Sequence, residues 1–369
     1  MTTLSFVAGA KSGTLPEVPT VQGNDKPVIE GEFRDYIAKI DEKSRPMMQN
    51  KVKKCPGCEK PNGFTLAVCN SCGTSLKEVP ISFTTNVFVG FMLGIEKGGF
   101  PYTISIRHQD DEMLLFDDLL ALSPLHFNAI PTKEWIPDWR YLLRNPRRGL
   151  EVTKKLHAKC VNVADSQFLS NAAFVKGLFK PGTTFTAQDC LAGFNFPPSQ
   201  YQLHVQFMCP VLMPHQRYLY QRGVHFTKGR FFPISYVVKC LEFAAGTPLP
   251  MSLLDESTDI GEIVKYFVDT HALDYDKEHA ATYEEAGQLY EKYANWANFD
   301  FEIVAPESGD MCIRPNGSAD PAKPDAAAAK KLIDDDKAAL QNYGRPYKDG
   351  KPRGTFYSFP KAVGDIGAW

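Results

Sequence analysis

The sequence predicts an α+β chain: an antiparallel sheet with packed helices, preceded by a small cysteine-rich module and followed by a helical extension. Three observations predict it. Tyr201 to Pro210 (YQLHVQFMCP) alternates polar and apolar residues. That period places Gln202, His204 and Gln206 on one face of a strand, and Leu203, Val205 and Phe207 on the other. Leu114 to Pro131 reads as an apolar strand, a polar turn, Ser123-Pro124, and a second strand stopped by Pro131. Cys55, Cys58, Cys69 and Cys72 form two C-x2-C pairs ten residues apart.

The elements follow in chain order. Residues 1–50 read as an extended, Pro-, Gly- and Thr-rich arm with a short amphipathic helix over 33–40. Residues 51–78 hold the cysteines. Each pair fits a tight turn that aims two sulfurs at one ion, and Gly57 and Gly73 suit that turn. Four thiolates give the closed tetrahedral site of structural zinc, which is the expected cofactor; a pair of disulfides is the alternative. Lys51, Lys53 and Lys54 favour the thiolate form and make a small basic patch. So small a module draws much of its folding energy from the metal.

Residues 79–245 carry the sheet. Strands over 81–88 and 102–106 are expected to open it, followed by the strand pair within 114–131. The aromatic stretch 135–143 suits a loop or helix start, and Arg144 to Gly149 a basic turn. A long helix is expected from Gly149 to Val175, with Leu150, Leu156, Cys160, Val163 and Phe168 inward. The strand holding His204 comes next, then a helix beginning near Pro233. Residues 246–340 form the extension, with acid-faced helical patterns at 252–266 and 283–299 and an Ala-rich helix at 327–339. The tail, 341–369, is rich in Gly and Pro and carries Tyr343, Tyr347, Phe356, Tyr357, Phe359 and Trp369. Such a tail suits docking on a protein partner.

Composition bounds the function. A net charge of −2 over 369 residues gives no global drive toward nucleic acid. No run of apolar residues is long enough for a transmembrane helix. Met1 to Thr20 lacks the basic start and apolar stretch of a secretory leader. Cys160, Cys190, Cys209, Cys240 and Cys312 follow no pairing pattern. A reducing intracellular compartment, cytoplasmic or mitochondrial, is expected.

The segment from Phe116-Asp117-Asp118-Leu119 through Ser123-Pro124-Leu125-His126 to Pro131, the lead-in Gly193-Phe194-Asn195-Phe196-Pro197-Pro198-Ser199, and the strand with His204 together resemble the histidine triad (HIT) superfamily of nucleotide hydrolases and transferases. The lead-in is similar to that of its HINT-type and aprataxin-type branches. The resemblance covers roughly residues 85–245. It implies a nucleotidyl-histidine intermediate on His204, with Gln206 on the phosphate, as in the transferase branches. Asp118 would hold the ribose hydroxyls, Phe116 and Leu119 would pack on the base, and Ser199 would contact phosphate or leaving group. His126 would line the site. The chain departs from the family at Gln202, where the first histidine of the triad stands. Two readings therefore remain: a nucleotide hydrolase or nucleotidyltransferase, or an inactive HIT-like accessory subunit held in a larger assembly by its extensions. A third, a nucleic-acid end-processing enzyme resembling aprataxin, has the near-neutral charge against it.

Overall fold

A computed structural model describes residues 18–19, 49–57, 59, 61–64, 74–86, 88, 105–118, 121–133, 136–198, 200–212, 216–217, 220, 225–255 and 258–295, with strand backbone at 301–304, 312–315, 345–346 and 352–353. The helices expected at 33–40 and 327–339, three of the four paired cysteines (Cys58, Cys69, Cys72), Leu119, Ser199 and the tail aromatics lie outside the described residues.

The strands up to residue 233 form two separate sheets. β1 (Gln49–Lys54), β2 (Pro61–Gly63) and β3 (Ile81–Thr85) make a small antiparallel sheet in the order β2-β1-β3. The strand expected at 81–88 is present but shorter, and it pairs with β1 instead of opening the main sheet. Alternation identifies a strand without naming its partner. Here the pattern is weakly apolar on the inside, since Ile81 and Phe83 are 51% and 59% exposed while Thr84 is buried.

β4 (Ile106–Gln109), β5 (Met113–Asp117), β6 (His126–Pro131), β7 (Leu191–Asn195), β8 (Val205–Met208) and β9 (Phe231–Pro233) form the main sheet. Its order is β4-β5-β6-β8-β7-β9, antiparallel throughout. Side chains alternate across each strand, so the sheet has two different faces. Leu115, Phe127, Ala129, Val205 and Phe207 point into the large core with Leu156, Cys160 and Val163 of α1 (Pro146–Val163). Ile106, Leu114, Phe116 and Ile130 cluster on the other face, where Phe88 packs on them.

The helical layer differs from the sequence pattern at both ends of α1. Pro146 takes the first turn and Asn145 caps it, its Oδ1 accepting from the Arg148 N–H at 3.3 Å. The basic stretch 144–149 is therefore the entry to the helix and not a turn. The helix expected to run to Val175 passes through a π-type turn at Ala164–Leu169 and breaks. Asn171 then restarts it as α2 (Ala172–Leu178) by accepting from the Phe174 N–H at 3.0 Å. A mid-pattern Asn that caps is what apolar periodicity alone does not reveal.

α3 (Ile234–Gly246), α4 (Ile260–His271) and α5 (Tyr275–Tyr293) bury Tyr236, Leu241, Phe267, Tyr275 and Tyr290 in the same core as the sheet. The helices at 260–293 are thus joined to the sheet by a continuous core. Among the described residues, no helix is long and apolar enough to cross a membrane.

Candidate functional site

The site lies on the second face of the sheet, near its centre. β6 and β8 pair with Asn128 opposite Gln206, and β5 and β6 pair with Phe116 opposite Asn128. Phe116, Asn128 and Gln206 thus form one row across three strands, with His126 one step along β6 and His204 just ahead of β8. Phe88 packs edge-on against both Phe116 and His204, with ring centroids 5.2 and 5.1 Å away.

The strand expected from Tyr201 begins only at Val205, because the preceding residues spend their hydrogen bonds elsewhere. The Tyr201 N–H donates to Asn50 Oδ1 at 3.0 Å, and the Leu203 N–H donates to the Ile136 carbonyl at 2.5 Å. Gln202 is fully buried. Its Oε1 accepts from the Ile136 N–H at 3.0 Å, and its Nε2 donates to the Pro131 carbonyl at 2.8 Å. Both ends of its amide thus tie residue 202 to the chain leaving β6.

His204 is 6% exposed. Its Nδ1 lies 2.7 Å from the Gln202 carbonyl, which only accepts, so Nδ1 carries the hydrogen and Nε2 holds the lone pair. Burial pushes the pKa of the ring below the ordinary imidazole value. The Gln202 carbonyl and the Asp118 carboxylate pull the other way, and the Arg230 guanidinium adds to the lowering. The ring is a neutral base with a fixed tautomer. Among the described residues, Nε2 makes no hydrogen bond, and neither does the Gln206 amide.

Asp117 and Asp118 do different work. Asp117 ends β5 facing the core, where Arg107 grips it through two bonds of 2.8 and 2.7 Å. Arg107 also donates to the Pro19 carbonyl at 2.7 Å and lies over the Phe168 ring. Asp118 turns toward the site: its Oδ2 accepts from Asn128 Nδ2 at 2.9 Å and lies 3.6 Å from His126 Nε2. His126 is buried, and its Nδ1 accepts from the Leu122 N–H at 2.9 Å, which places its hydrogen on Nε2, toward Asp118. At 3.6 Å the two face each other without a hydrogen bond, and Asn128 is what holds the carboxylate.

Three further participants are not among the residues expected from the sequence. Asn128 is a buried polar residue in the middle of an apolar strand, and that mismatch is a readable signal. Arg230 comes from a loop 26 residues beyond His204. Its Nη1 donates to the Pro197 carbonyl at 3.4 Å. Asn50, on β1, is fully buried. It donates to Gln200 Oε1 at 2.9 Å and accepts from Tyr201, so the small sheet holds the segment that leads into His204. Gly63 of β2 adds to this contact, as a Cβ there would stand 2.7 Å from Pro197. Nothing local in the sequence marks Arg230 or Asn50.

At the cysteine module, Cys55 is buried at the end of β1. The Gly57 N–H donates to its Sγ at 3.3 Å, the Glu59 N–H donates to its carbonyl at 2.8 Å, and Glu59 has φ 59°. Those are the features of a tight turn that presents a sulfur. A Cβ on Gly57 would stand 2.5 Å from Thr74 Oγ1, so the chain leaving the second cysteine pair runs against the first turn.

No protein-family model matches the chain, and no curated protein matches it. A solved structure of Hnt3 in complex with DNA and guanosine is similar over 51% of this chain and 90% of its own, at 16% identity and a TM-score of 0.27. An overlap this loose fixes neither fold nor ligand.

Proposed function

We propose that the chain is a HIT-like nucleotide hydrolase or nucleotidyltransferase that works through His204. The observation that carries this reading is the state of the His204 ring. Its Nδ1 is spent on a backbone carbonyl, burial keeps it neutral, and Nε2 is left with a lone pair on a face that also holds an uncommitted amide and a carboxylate. Those are the requirements for a nitrogen nucleophile. Nε2 would attack the α-phosphorus of a nucleotide. The N–P bond forms as the bond from phosphorus to the leaving oxygen breaks, and the leaving group departs with that electron pair. Water or an acceptor hydroxyl then displaces His204: its oxygen bonds phosphorus as the N–P bond breaks, the electron pair returns to Nε2, and its proton leaves to solvent, restoring the neutral ring. The Gln206 amide would donate to a non-bridging oxygen as charge builds there. Asp118 would hold the ribose, steadied by Asn128, and Phe116 would lie against the nucleoside.

A second reading, nucleotide binding without turnover, is favoured by one feature. The amide of Gln202 is consumed by the backbone, so this position supplies no group to the substrate. One experiment separates the two: incubation with α-labelled dinucleotide polyphosphates and nucleotide sugars, followed by detection of acid-labile label on the protein. Label or product that disappears in His204→Ala supports the enzyme; nucleotide binding with neither label nor product leaves the binding module.

We also propose one structural zinc ion held by Cys55, Cys58, Cys69 and Cys72. The sulfur-presenting turn at Cys55 and the approach of Thr74 to Gly57 support it. Metal analysis of the purified chain should give one zinc per molecule, lost in Cys55→Ser.

A further inference from the structure

Asn128 is 3% exposed and sits mid-strand between Phe116 and Gln206. Its amide is oriented by its neighbour: the Asp118 carboxylate only accepts, so Nδ2 faces it and Oδ1 faces away. That Oδ1 is buried and has no hydrogen-bond partner. A buried acceptor left unmatched is costly, and strands seldom retain one without use. We infer that Asn128 is a ligand contact whose Oδ1 accepts a hydrogen bond from a ribose hydroxyl, beside the hydroxyl held by Asp118. The inference rests on the nucleotide reading above and adds to it a preference for ribonucleotides over deoxyribonucleotides.

The chemistry selects the ligand group. Phosphate oxygens are acceptors and offer nothing to Oδ1. Asp118 and Asn128, joined by the bond between them, each carry an acceptor. They are matched by two donors on adjacent atoms, which in a nucleotide means the 2′- and 3′-hydroxyls. A site built to accept from a hydroxyl rejects the analogue lacking it, because its own acceptor is then left unpaired.

The test is calorimetric titration of the full chain with AMP and GMP, each beside its 2′-deoxy and 3′-deoxy counterpart. Wild-type protein should bind the ribonucleotides about tenfold to a hundredfold more tightly. In Asn128→Leu the ratio should fall to about one for the deoxy form that lacks the hydroxyl facing Oδ1, mainly through weaker ribonucleotide binding, while the ratio for the hydroxyl held by Asp118 is kept. Equal binding of ribo and deoxy forms by the wild type overturns the inference while leaving the nucleotide reading intact, and this measurement needs no variant to fold. The inference also falls if Asn128→Leu keeps both wild-type ratios, as it would were a rotated Gln206 amide the natural donor to Oδ1. Failure of the wild type to bind any of these nucleotides overturns the reading and the inference together.

Discussion

Gln202 gives the sharpest prediction, because its fully buried amide performs a structural task. Replacement by Leu keeps the approximate volume and removes both hydrogen bonds of the buried amide. The Ile136 N–H and the Pro131 carbonyl would then be buried without that partner. Each such orphan costs about 1–3 kcal/mol, so Gln202→Leu should lose about 2–6 kcal/mol. Set against a usual folding stability of about 5–15 kcal/mol, that is a large fraction. Urea denaturation should show a lower midpoint at an unchanged slope. Gln202→His should also lose stability, since a single ring does not bridge both backbone groups. A loss below about 1 kcal/mol for Gln202→Leu, or a Gln202→His protein that is fully stable and more active, would refute the structural assignment.

Other consequences follow from the same geometry. The lowered pKa of His204 keeps the ring neutral below the usual imidazole value of about 6.5, so the acidic limb of the pH–rate profile should lie below that pH. The unfolded chain binds the proton more readily, so the associated stability is fully present above about pH 6.5 and is lost as pH falls through the folded value. His157 and His279 are shifted in the same direction, so the check is the difference in stability slope between wild type and His204→Ala. Asp117→Asn should cost about 3–5 kcal/mol in denaturation, because it leaves the buried Arg107 without its carboxylate. Asp118→Asn should cost far less stability and instead weaken nucleotide binding in titration. Asn50→Ala should lower the rate of label formation more than it lowers the melting temperature, because Asn50 holds Gln200 and Tyr201, just ahead of His204 in the chain.

How much of this is legible in the sequence depends on whether the signal is local. The strand positions of β5, β6 and β8 are, because alternation and Pro131 are local marks. The partner of β3 is not, since pairing is decided by tertiary contact. Asp118 and His126 are suggested by resemblance and do lie together; the bond from Asn128 to Asp118 is not part of that resemblance, although a polar residue at 128 in an apolar strand announces itself. β8 starts later than its alternation suggests, at Val205 and not Tyr201, because distant segments capture the N–H groups of Tyr201 and Leu203. Asn50 and Arg230 leave no trace, as each acts across more than twenty residues of chain and neither belongs to a motif.

Under the proposed reading, a glutamine at 202 does not by itself argue against chemistry. His204 is oriented by the carbonyl of residue 202, which any residue supplies, and the Gln202 side chain fixes that carbonyl by tying it to Pro131 and Ile136. What the described part of the site lacks is a proton donor for the departing group. The Gln206 amide does not titrate near neutral pH. The hydrogen on His126 Nε2 is directed at Asp118. A reaction of the proposed kind would then favour leaving groups that depart as anions. Phosphoanhydrides, which release a stable phosphate oxyanion, should be cleaved, whereas a phosphoramidate, whose amine must be protonated to leave, should be turned over at least about tenfold more slowly, each proton-transfer contribution being worth about a hundredfold or more. Comparing dinucleotide polyphosphate with adenosine phosphoramidate on the wild-type chain measures this ratio. Equal rates would show that a general acid acts in the site, and would move attention from Gln206 to His126.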